Sequence, residues 1–495
     1  MGPLACTVLG ALLLVGCGTT PEPPARPRNI IIILSDDHRF DFLGFMPSAP
    51  GFLDTPNLDR MARRGAHVRN AFVTTSLCSP SRASILTGRY AHRHRIVDNT
   101  SPIPPGTRFF PEELRRAGYR TAFIGKWHMG EETDLPKPGF DRWVSFKGQG
   151  VYRDPELNID GKRQVVRGYT TDVLTDYALR FLEEQRARAP DQPYFLFLSH
   201  KAVHAEFEPA PRHAGRYART PIPYPATMSS TPANYRGKPD WVRRQRDSWH
   251  GVDYMYHGAM EFDAFYRAYA ETLLALDDSV GRVLDWIDRS GQAGSTLVLY
   301  LGDNGFLLGE HGLIDKRNAY EESIRIPMLA YAPGLIPPGS APGELVRNID
   351  IAPTLLELAG LPASAAAGMD GRSFLPVLRG QAPRWGAELL YEYYWEYAFP
   401  HTPTVFALRD ARYKYIFYQG VWDTDELYDL SVDPHETHNL IREPSGAARA
   451  AAMKRRMWDL LEETGGMEIP LKRAGSWQAA ERRGGSRPGD APVPP

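Results

Sequence analysis

Hydrophobic residues along the chain form short continuous runs that alternate with amphipathic stretches. The run Asn29–Ser35 reads NIIIILS, and such a run of β-branched residues predicts a strand buried on both faces. Similar runs predict strands near residues 121–125, 193–199, 296–301 and 327–331. Helical spacing of apolar residues predicts helices over 55–64, with Thr55 as N-cap, over 112–117 and over 265–288. Strands that alternate with helices predict an α/β fold built on a parallel sheet.

Beyond residue 385 the pattern changes. Runs at 406–409 and 413–418 predict adjacent antiparallel strands, followed by a helix near 447–463, which together indicate a small α+β subdomain. The stretch 205–260 is rich in Pro, Arg and aromatic residues without a clear period, as is typical of a substrate-facing insertion. The predicted division is an amino-terminal segment 1–27, a catalytic domain 28–384, a carboxy-terminal subdomain 385–472 and a disordered tail 473–495.

The amino-terminal segment has the pattern of a targeting signal. An apolar run at 8–15 is too short to span a bilayer, and it is followed by Cys17 and a Pro-rich stretch at 21–27. This resembles a bacterial lipoprotein signal with lipid attached to Cys17, although no Lys or Arg precedes the run. An ordinary secretory signal is the alternative. Both predict export, to the periplasm or to the cell surface, with a membrane partner only through that lipid.

Composition limits the possible partners and draws attention to one cysteine. The 495 residues include 58 Lys+Arg and 59 Asp+Glu, and this balance argues against a globally basic nucleic-acid-binding protein. Of the three cysteines, Cys6 lies in the predicted signal and Cys17 at the predicted lipid site. Cys78 is therefore left without a disulfide partner in an oxidising compartment, either as a core residue or as a site of chemistry.

Polar side chains follow two of the predicted buried strands. Asp36 and Asp37 come directly after the first strand, and Asp303 and Asn304 follow the strand near 296–301. Carboxylates at a buried strand end are costly unless a cation neutralises them, and oxygen ligands suit Ca²⁺ or Mg²⁺. A helix cap, a salt bridge or a simple turn would explain each cluster alone. Two clusters at the carboxyl ends of two strands favour a shared cation site.

Basic residues follow two other predicted strands. Lys126 and His128 come after the strand near 121–125, and they point the same way if that strand continues. His200 and His204 follow the strand near 193–199. Such residues can bind an anion and supply a proton, but an exposed lysine and a buried, hydrogen-bonded histidine are the plainer alternative.

The segment around Cys78 adds an anion site. Pro80 and Ser81 fit a helix start, which places Cys78 at a helix N-terminus with Arg82 one turn further on. A helix N-terminus with Lys, Arg, His and a cation nearby predicts a site for a sulfate or phosphate ester.

The motif C-S-P-S-R at 78–82, followed by L-T-G-R at 86–89, resembles the signature of the type I sulfatases of the alkaline phosphatase superfamily. The segments 125–128, 302–305 and 426–430 also match in the expected order, and the resemblance extends from about residue 29 to residue 439. It implies an alkaline-phosphatase-like fold, in which a large, mostly parallel sheet lies between helices and is followed by the small carboxy-terminal subdomain.

The resemblance also implies the chemistry. Cys78 would be converted to formylglycine by a formylglycine-generating or sulfatase-maturating enzyme, giving an aldehyde hydrate with one hydroxyl to attack sulfur and a second to expel sulfate. Its implied ligands for one Ca²⁺ are Asp36, Asp37, residue 78, Asp303 and Asn304. The other implied roles are charge stabilisation by Arg82, sulfate binding by Lys126 and Lys316, protonation of the leaving alcohol by His204, and turnover of the adduct by His128. His200 matches the family's active-site histidine, next to the leaving group, less well than His204 does.

The implied substrate is a sulfated carbohydrate. The segments 200–213 and 395–403 look similar to those of sulfatases that act on N-acetylglucosamine-6-sulfate in glycosaminoglycans or mucins. Arg212, His213 and His401 are the expected sugar contacts, and Trp395 and Trp422 suit either sugar stacking or core packing. Two alternatives stay open: a phosphomonoester or phosphonate-ester hydrolase on the same scaffold, and a non-catalytic lipoprotein that binds sulfated glycans.

Overall fold

The computed structural model describes residue 2 and residues 29–130, 133–255, 260–381, 385–386, 388–421 and 423–470. The predictions made for the apolar run 8–15, Cys6, Cys17, Trp422 and the tail 473–495 lie outside these residues. Among the helices that are described, none is both long and apolar enough to cross a membrane.

The strands fall into a large sheet, a small sheet and one isolated pair. They are β1 (Asn29–Ser35), β2 (Ala66–His67), β3 (Asn70–Phe72), β4 (Arg120–Lys126), β5 (Arg142–Phe146), β6 (Glu156–Ile159), β7 (Lys162–Val165), β8 (Tyr194–Ser199), β9 (Thr296–Gly302), β10 (Met328–Tyr331), β11 (Leu345–Arg347), β12 (Leu389–Tyr393), β13 (Thr404–Arg409), β14 (Tyr413–Gln419) and β15 (Glu426–Asp429).

The α-helices connect and cover these strands. They are α1 (Pro56–Arg64), α2 (Cys78–Thr87), α3 (Ala91–His94), α4 (Pro111–Arg116), α5 (Thr170–Arg188), α6 (Asp240–Arg244), α7 (Phe262–Ser290), α8 (Glu321–Ile324), α9 (Ile351–Leu358), α10 (Leu375–Leu378) and α11 (Pro444–Thr464).

Within the described residues the large sheet has nine strands in the order β2-β10-β9-β1-β8-β4-β5-β6-β7. Its centre, from β9 through β1, β8 and β4 to β5, is parallel, whereas β10, β2, β6 and β7 continue it in antiparallel pairs. The carboxyl ends of the parallel strands therefore meet at one edge, where ligands bind in open α/β sheets. The predicted α/β fold with a mostly parallel sheet is confirmed.

Both faces of the large sheet are covered, as the continuous apolar run in β1 predicts. Ile31 and Ile33 pack with α1, α5 and α7 on one face, and Ile30, Ile32 and Leu34 pack with α9 and α10 on the other. All five side chains are fully buried. Because every residue of β1 is in a core, the segment that follows it is held rigidly.

The small sheet consists of β12, β13, β14 and β15 in antiparallel order. One face packs on α11, and the other packs on the main body around Leu77 and Tyr320. The predicted antiparallel pair of β13 and β14 is confirmed. Since Leu77 directly precedes Cys78, its packing against the small sheet helps to fix the position of the first residues of α2.

Thr55 is the N-cap residue of α1, as predicted, although its hydroxyl donates to Asp59 and accepts a hydrogen bond from the Gly44 amide, so the side chain does not cap a helix amide. The strand β4 ends at Lys126, and His128 has a φ of 55°, so the two side chains are not related by strand periodicity.

A buried ion pair joins the main body to the small sheet. His92 Nδ1 lies 2.9 Å from Glu392 Oε2, both side chains are fully buried, and Nε2 of His92 lies 3.2 Å from the carbonyl oxygen of Thr464. Burial lowers the pKa of His92, but Glu392 outweighs it and the net shift is upward. Burial raises the pKa of Glu392, but His92 outweighs it and the net shift is downward.

Glu392→Gln is expected to lower the free energy of unfolding by about 3 kcal/mol at pH 6, because it leaves a buried imidazolium without its counter-charge. The raised pKa of His92 contributes stability that is complete below its ordinary value of 6.5 and is lost as pH rises through the folded value. The lowered pKa of Glu392 contributes stability that is present above its ordinary value of 4.5 and is lost as pH falls through the folded value. Urea unfolding from pH 4 to 9 measures the loss of stability at both the acidic and the alkaline end. The variant should not show the loss of stability at alkaline pH that the His92–Glu392 pair produces.

The matched control is Glu113→Gln, which removes an exposed ion pair with Arg116 on α4. Exposed pairs contribute roughly 0–1 kcal/mol, so its unfolding free energy should change little. Equal losses in the two variants would contradict a stabilising role for the buried pair.

Candidate active site

The polar residues of the site lie at the carboxyl ends of adjacent parallel strands. Asp36 and Asp37 follow β1, Lys126 ends β4, and Asp303 follows β9. His204 lies in the segment after β8, held by a hydrogen bond from Tyr152 Oη to its carbonyl oxygen (2.7 Å). Strand register thus brings together groups that are up to 267 residues apart in the chain, as in the contact between Asp37 and Asn304.

Cys78 is the first residue of α2, and it lies among these groups. Its Sγ is 3.1 Å from Lys316 Nζ, 3.4 Å from Asp36 Oδ1 and 3.9 Å from Lys126 Nζ, and the residue is fully buried. Burial and the Asp36 carboxylate raise the pKa of the Cys78 thiol to about 12. An unmodified Cys78 is therefore a neutral thiol here, which is a poor nucleophile.

Three carboxylates form the acidic half of the site. Ligand oxygens of Asp36, Asp37 and Asp303 lie within 4.8 Å of one another, and all three residues are fully buried. Burial and Asp36 raise the pKa of Asp303 to about 7, and burial also raises the pKa of Asp37. Burial opposes ionisation of Asp36 as well, but Lys126 and Arg82 hold its pKa well below the usual range.

Two buried oxygens of this cluster fit a cation. Asp37 Oδ2 and Asn304 Oδ1 have no hydrogen-bond partner within the described residues. Asn304 Nδ2 donates to Asp37 Oδ1 (2.6 Å) and to the Gly305 carbonyl (2.8 Å), which fixes the amide so that its oxygen is the free group. Carboxylate and amide oxygens are hard ligands, so the donor set fits Ca²⁺ better than a thiophilic metal.

Three basic residues form the other half of the site. Arg82 donates from Nε to Asp303 (2.9 Å) and from Nη2 to Asp36 (3.2 Å), and its Nη1 reaches Ser199 Oγ (2.7 Å). Lys126 contacts Asp36, and Lys316 contacts Asp37. The two lysines also flank Cys78, so a tetrahedral anion bound at residue 78 would meet two ammonium groups.

Two histidines adjoin this cluster. His204 Nε2 lies 3.9 Å from Asp37 Oδ2, and a ligand atom of His204 lies within 4.8 Å of Cys78. Burial and Lys126 hold the pKa values of His204 and His128 well below the usual range. His128 lies beside Ser79, with Nδ1 3.4 Å from the hydroxyl. Protonation of His204 therefore needs added negative charge nearby, which a bound sulfate ester supplies.

Comparison with known proteins agrees with this arrangement. The sulfatase family profile matches residues 28–361, and the profile called N-sulphoglucosamine sulphohydrolase, C-terminal, matches residues 309–463. The chain belongs to the sulfatase family. It is therefore a sulfuric ester hydrolase, as the motif at residues 78–82 predicts.

Individual relatives of this sulfatase share most of its length. It is 32% identical to the N-acetylglucosamine-6-O-sulfatase of Bacteroides thetaiotaomicron, over 92% of this chain and 89% of the relative. It is 31% identical to the human N-acetylglucosamine-6-sulfatase, over 79% of this chain and 72% of that relative. A solved structure of BT4656 in complex with its substrate D-glucosamine-2-N,6-O-disulfate has a TM-score of 0.81 at 29% identity, covering 91% of this chain and 100% of that one.

The sulfatase site opens into one cavity of about 480 Å³, a size typical of small-ligand sites. Lys316 and His204 line it close to Cys78. Its other walls come from several loops, among them the segment after β5, the segment after β8, the insertion and the loop between β12 and β13. They include Asn99, Gln149, Tyr152, Lys201, Glu206, Glu208, Trp249, Arg317 and Phe399.

Several sequence-predicted residues are placed elsewhere. Arg212 and His213 do not line this cavity, because Arg212 is ion-paired with Asp172 and Asp278 and His213 Nε2 lies 2.7 Å from Asp278. These contacts tie the insertion to α5 and α7, so both residues are better explained as structural. His200 is also structural, because its Nε2 faces Ser279 of α7 (3.0 Å).

His401 and Trp395 are not cavity-lining residues either. The His401 carbonyl accepts a hydrogen bond from Gln245, and Trp395 Nε1 donates to the Pro400 carbonyl (3.2 Å). Phe399, two residues before His401, is the member of this loop that reaches the cavity. The predicted loop therefore borders the cavity through Phe399 and not through His401.

Sequence reasoning missed Lys201, Tyr152 and Gln149. Lys201 stands in the segment 200–213, just after the central strand β8, and that position was the available signal. Gln149, which receives a hydrogen bond from Lys126, and Tyr152 lie between β5 and β6. That segment has no apolar pattern and no motif to mark it.

Proposed function

We propose that this sulfatase removes the 6-O-sulfate of N-acetylglucosamine or glucosamine residues in sulfated glycans. The observation that carries the chemistry is the position of Cys78 Sγ, 3.1 Å from Lys316 and 3.4 Å from Asp36, beside the unpartnered oxygens of Asp37 and Asn304. The sugar is inferred from the names of the relatives that cover most of the chain. The cavity volume of about 480 Å³ lies in the range of small-ligand sites, which supports a sugar-sized substrate.

Residue 78 is proposed to be formylglycine, and the proposed Ca²⁺ ligands are Asp36, Asp37, Asp303, Asn304 and residue 78 itself. When present, the hydrated aldehyde supplies two hydroxyls on one carbon, and the cation lowers the pKa of the attacking one. Burial raises the pKa of the unmodified Cys78 thiol to about 12, which disfavours the thiolate and supports a modified residue as the nucleophile.

The other side chains have separable roles in this proposal. Lys126 and Lys316 hold sulfate oxygens and stabilise the charge that develops on the transferring group. Arg82 orients Asp36 and Asp303 through charge-assisted hydrogen bonds. His204 donates a proton to the leaving sugar oxygen, and His128 assists release of sulfate from residue 78.

His204→Ala is expected to lower kcat for N-acetylglucosamine-6-sulfate by about 10²–10⁴-fold, because an alkoxide leaving group needs a proton. An aryl sulfate of an acidic phenol releases phenolate, which needs no proton to leave. The kcat for this ester should therefore fall by less than about tenfold. Initial rates of sulfate release by the wild type and the variant test this split. Equal losses on both esters would assign His204 to sulfate binding, and no wild-type turnover of the sugar sulfate would reject the proposed substrate.

Location and maturation are further proposals. We propose that segment 1–27 exports the chain as a periplasmic or cell-surface lipoprotein with lipid on Cys17, and that a formylglycine-generating or sulfatase-maturating enzyme is a partner. The apolar run at 8–15 and the cysteine that follows it support export. We also propose 28–384 as the catalytic domain and 385–472 as the subdomain, since the small sheet begins at Leu389.

A further inference from the structure

Lys201 is a buried cation in the wall of the active-site cavity. It follows β8, is only 5% exposed, and lines the same cavity as His204 and Lys316. Its Nζ lies 4.7 Å from the centroid of the Tyr152 ring, which partly compensates its charge. None of the roles assigned above uses this residue.

The charge of Lys201 has no ionic partner among the described residues, none of which places a carboxylate within 4.0 Å of its Nζ. The neighbouring cations differ in this respect. Lys316 contacts Asp37, and Arg317 pairs with Asp315 and Glu396 and stacks on Phe399. Burial and Lys126 lower the pKa of Lys201 to about 8. Asp36, Asp37 and Glu208 stabilise the Lys201 charge only from beyond ion-pair distance, so an anionic ligand in direct contact with this buried ammonium group would stabilise it further.

The position of Lys201 indicates which part of the substrate it meets. Lys126 and Lys316 are the ammonium groups within 3.9 Å of Cys78 Sγ, where the sulfate is proposed to bind. Lys201 instead adjoins His204, because the His204 amide donates to the Lys201 carbonyl (2.9 Å) and Tyr152 contacts both residues. In the proposed function His204 protonates the leaving oxygen, so Lys201, which adjoins His204, would lie on the side of the leaving sugar.

The acidic residues of the cavity limit where an anion is tolerated. Glu206 and Glu208 line the same cavity, and Glu208 is only loosely paired with Arg153, at 3.7 Å. Carboxylates repel anionic groups and accept hydrogen bonds from sugar hydroxyls. A substrate that directs one additional anionic group at Lys201 and its hydroxyls at Glu206 and Glu208 would therefore match the charges of this cavity.

We propose that Lys201 binds a second anionic group of the substrate, carried by the leaving sugar or by the sugar linked to it, and so sets a preference for doubly charged sulfate esters. This inference rests on the proposed function. An N-sulfate on the same sugar and a uronate carboxylate on the next one offer the same chemistry, which is anionic oxygens for a compact ammonium group.

The test compares Lys201→Met with the wild type on three substrates. They are N-acetylglucosamine-6-sulfate, glucosamine-2-N,6-O-disulfate, and a disaccharide in which a uronate is linked to N-acetylglucosamine-6-sulfate. A hydrogen bond to a charged group contributes about 1.5–3 kcal/mol, so kcat/KM for the preferred dianionic substrate should fall about 10–150-fold. The loss on the singly charged sugar should be under about threefold. The dianionic substrate that loses activity shows whether Lys201 binds the N-sulfate or the uronate carboxylate.

Binding gives a second readout that does not depend on turnover. In the Cys78→Ala background, Lys201→Met should raise the Kd of the preferred dianionic ester by about tenfold or more, and leave that of the singly charged ester nearly unchanged. Lys162→Met, on the exposed strand β7, is the matched control and should change neither constant. A melting temperature at or above that of the wild type would show that Lys201→Met is folded.

Four outcomes overturn the inference. Equal losses on all substrates would mean that Lys201 acts on the sulfate or on His204, and no loss on any would mean that it binds no substrate anion. If the wild type hydrolyses all three esters with equal kcat/KM, the preference does not exist. If the wild type, with its aldehyde confirmed, hydrolyses none of them, the proposed function fails, and the inference about Lys201 fails with it.

Discussion

Replacing Cys78 with alanine is expected to lower kcat/KM for sulfate esters by roughly 10⁴-fold or more, because it removes the proposed nucleophile. Cys78→Ser should be almost as inactive, since serine has one hydroxyl and lacks the second that expels sulfate. Two measurements check this: sulfate release by each variant, and the mass of the tryptic peptide 70–82 from wild-type protein made in its natural host. That peptide should carry an aldehyde in place of the thiol.

The matched control for residue 78 is Ser84→Ala on the same helix. Ser84 is buried but faces His94 Nε2 at 3.1 Å, away from the cavity, so kcat/KM should change by less than about fivefold. An unmodified thiol in an active wild-type enzyme would reject the role assigned to Cys78. So would substantial turnover by Cys78→Ala.

Removing the cation is expected to have an effect of similar size. In the proposed site three buried carboxylates, with the free oxygens of Asp37 and Asn304, would provide the ligands, so dialysis against EDTA should reduce activity by about 10³-fold or more and Ca²⁺ should restore it. Asp37→Asn should weaken this response. Elemental analysis of the purified protein, and the rise in melting temperature on adding Ca²⁺, measure binding without turnover.

Asp277→Asn is the matched control for the cation site. Asp277 is a buried carboxylate that accepts hydrogen bonds from the backbone amides of Asn57 and Leu58, outside the acidic cluster. This variant should keep its metal content and its Ca²⁺-dependent rise in melting temperature. Full activity of the wild type after complete chelation would contradict the proposed cation.

The sequence was most informative where burial was complete. Because β1 is buried on both faces, its run of isoleucines has only one good interpretation, and Asp36 and Asp37 at its end follow directly. The same holds for β9 with Asp303 and Asn304. The hairpin of β6 and β7 was not predicted, since all four residues of β7 are exposed at the edge of the sheet. α5 was missed although its buried residues Val173, Leu174, Phe181 and Leu182 recur at helical spacing.

The substrate end of the site was the hardest to predict. Sugar-facing groups lie on loops whose positions depend on long-range contacts, so proximity in sequence to a catalytic motif is a weak guide. Arg212 and His213 follow His204 closely in the chain, but their pairing with Asp172 and Asp278 holds them on the helices. Lys201 could be placed at a strand end from the sequence, but only the structure shows that it is buried and forms no ion pair with another described residue.

The most direct test of the central claim is sulfate release by mature wild-type protein, with its aldehyde confirmed in peptide 70–82. The substrates are N-acetylglucosamine-6-sulfate and its relatives bearing a second anion, N-acetylgalactosamine-4-sulfate, and a phosphonate monoester. We expect kcat/KM for the best 6-O-sulfated glucosamine to exceed that for each of the last two by about 100-fold or more. Faster hydrolysis of the phosphonate ester, or of the 4-sulfate, would contradict the account.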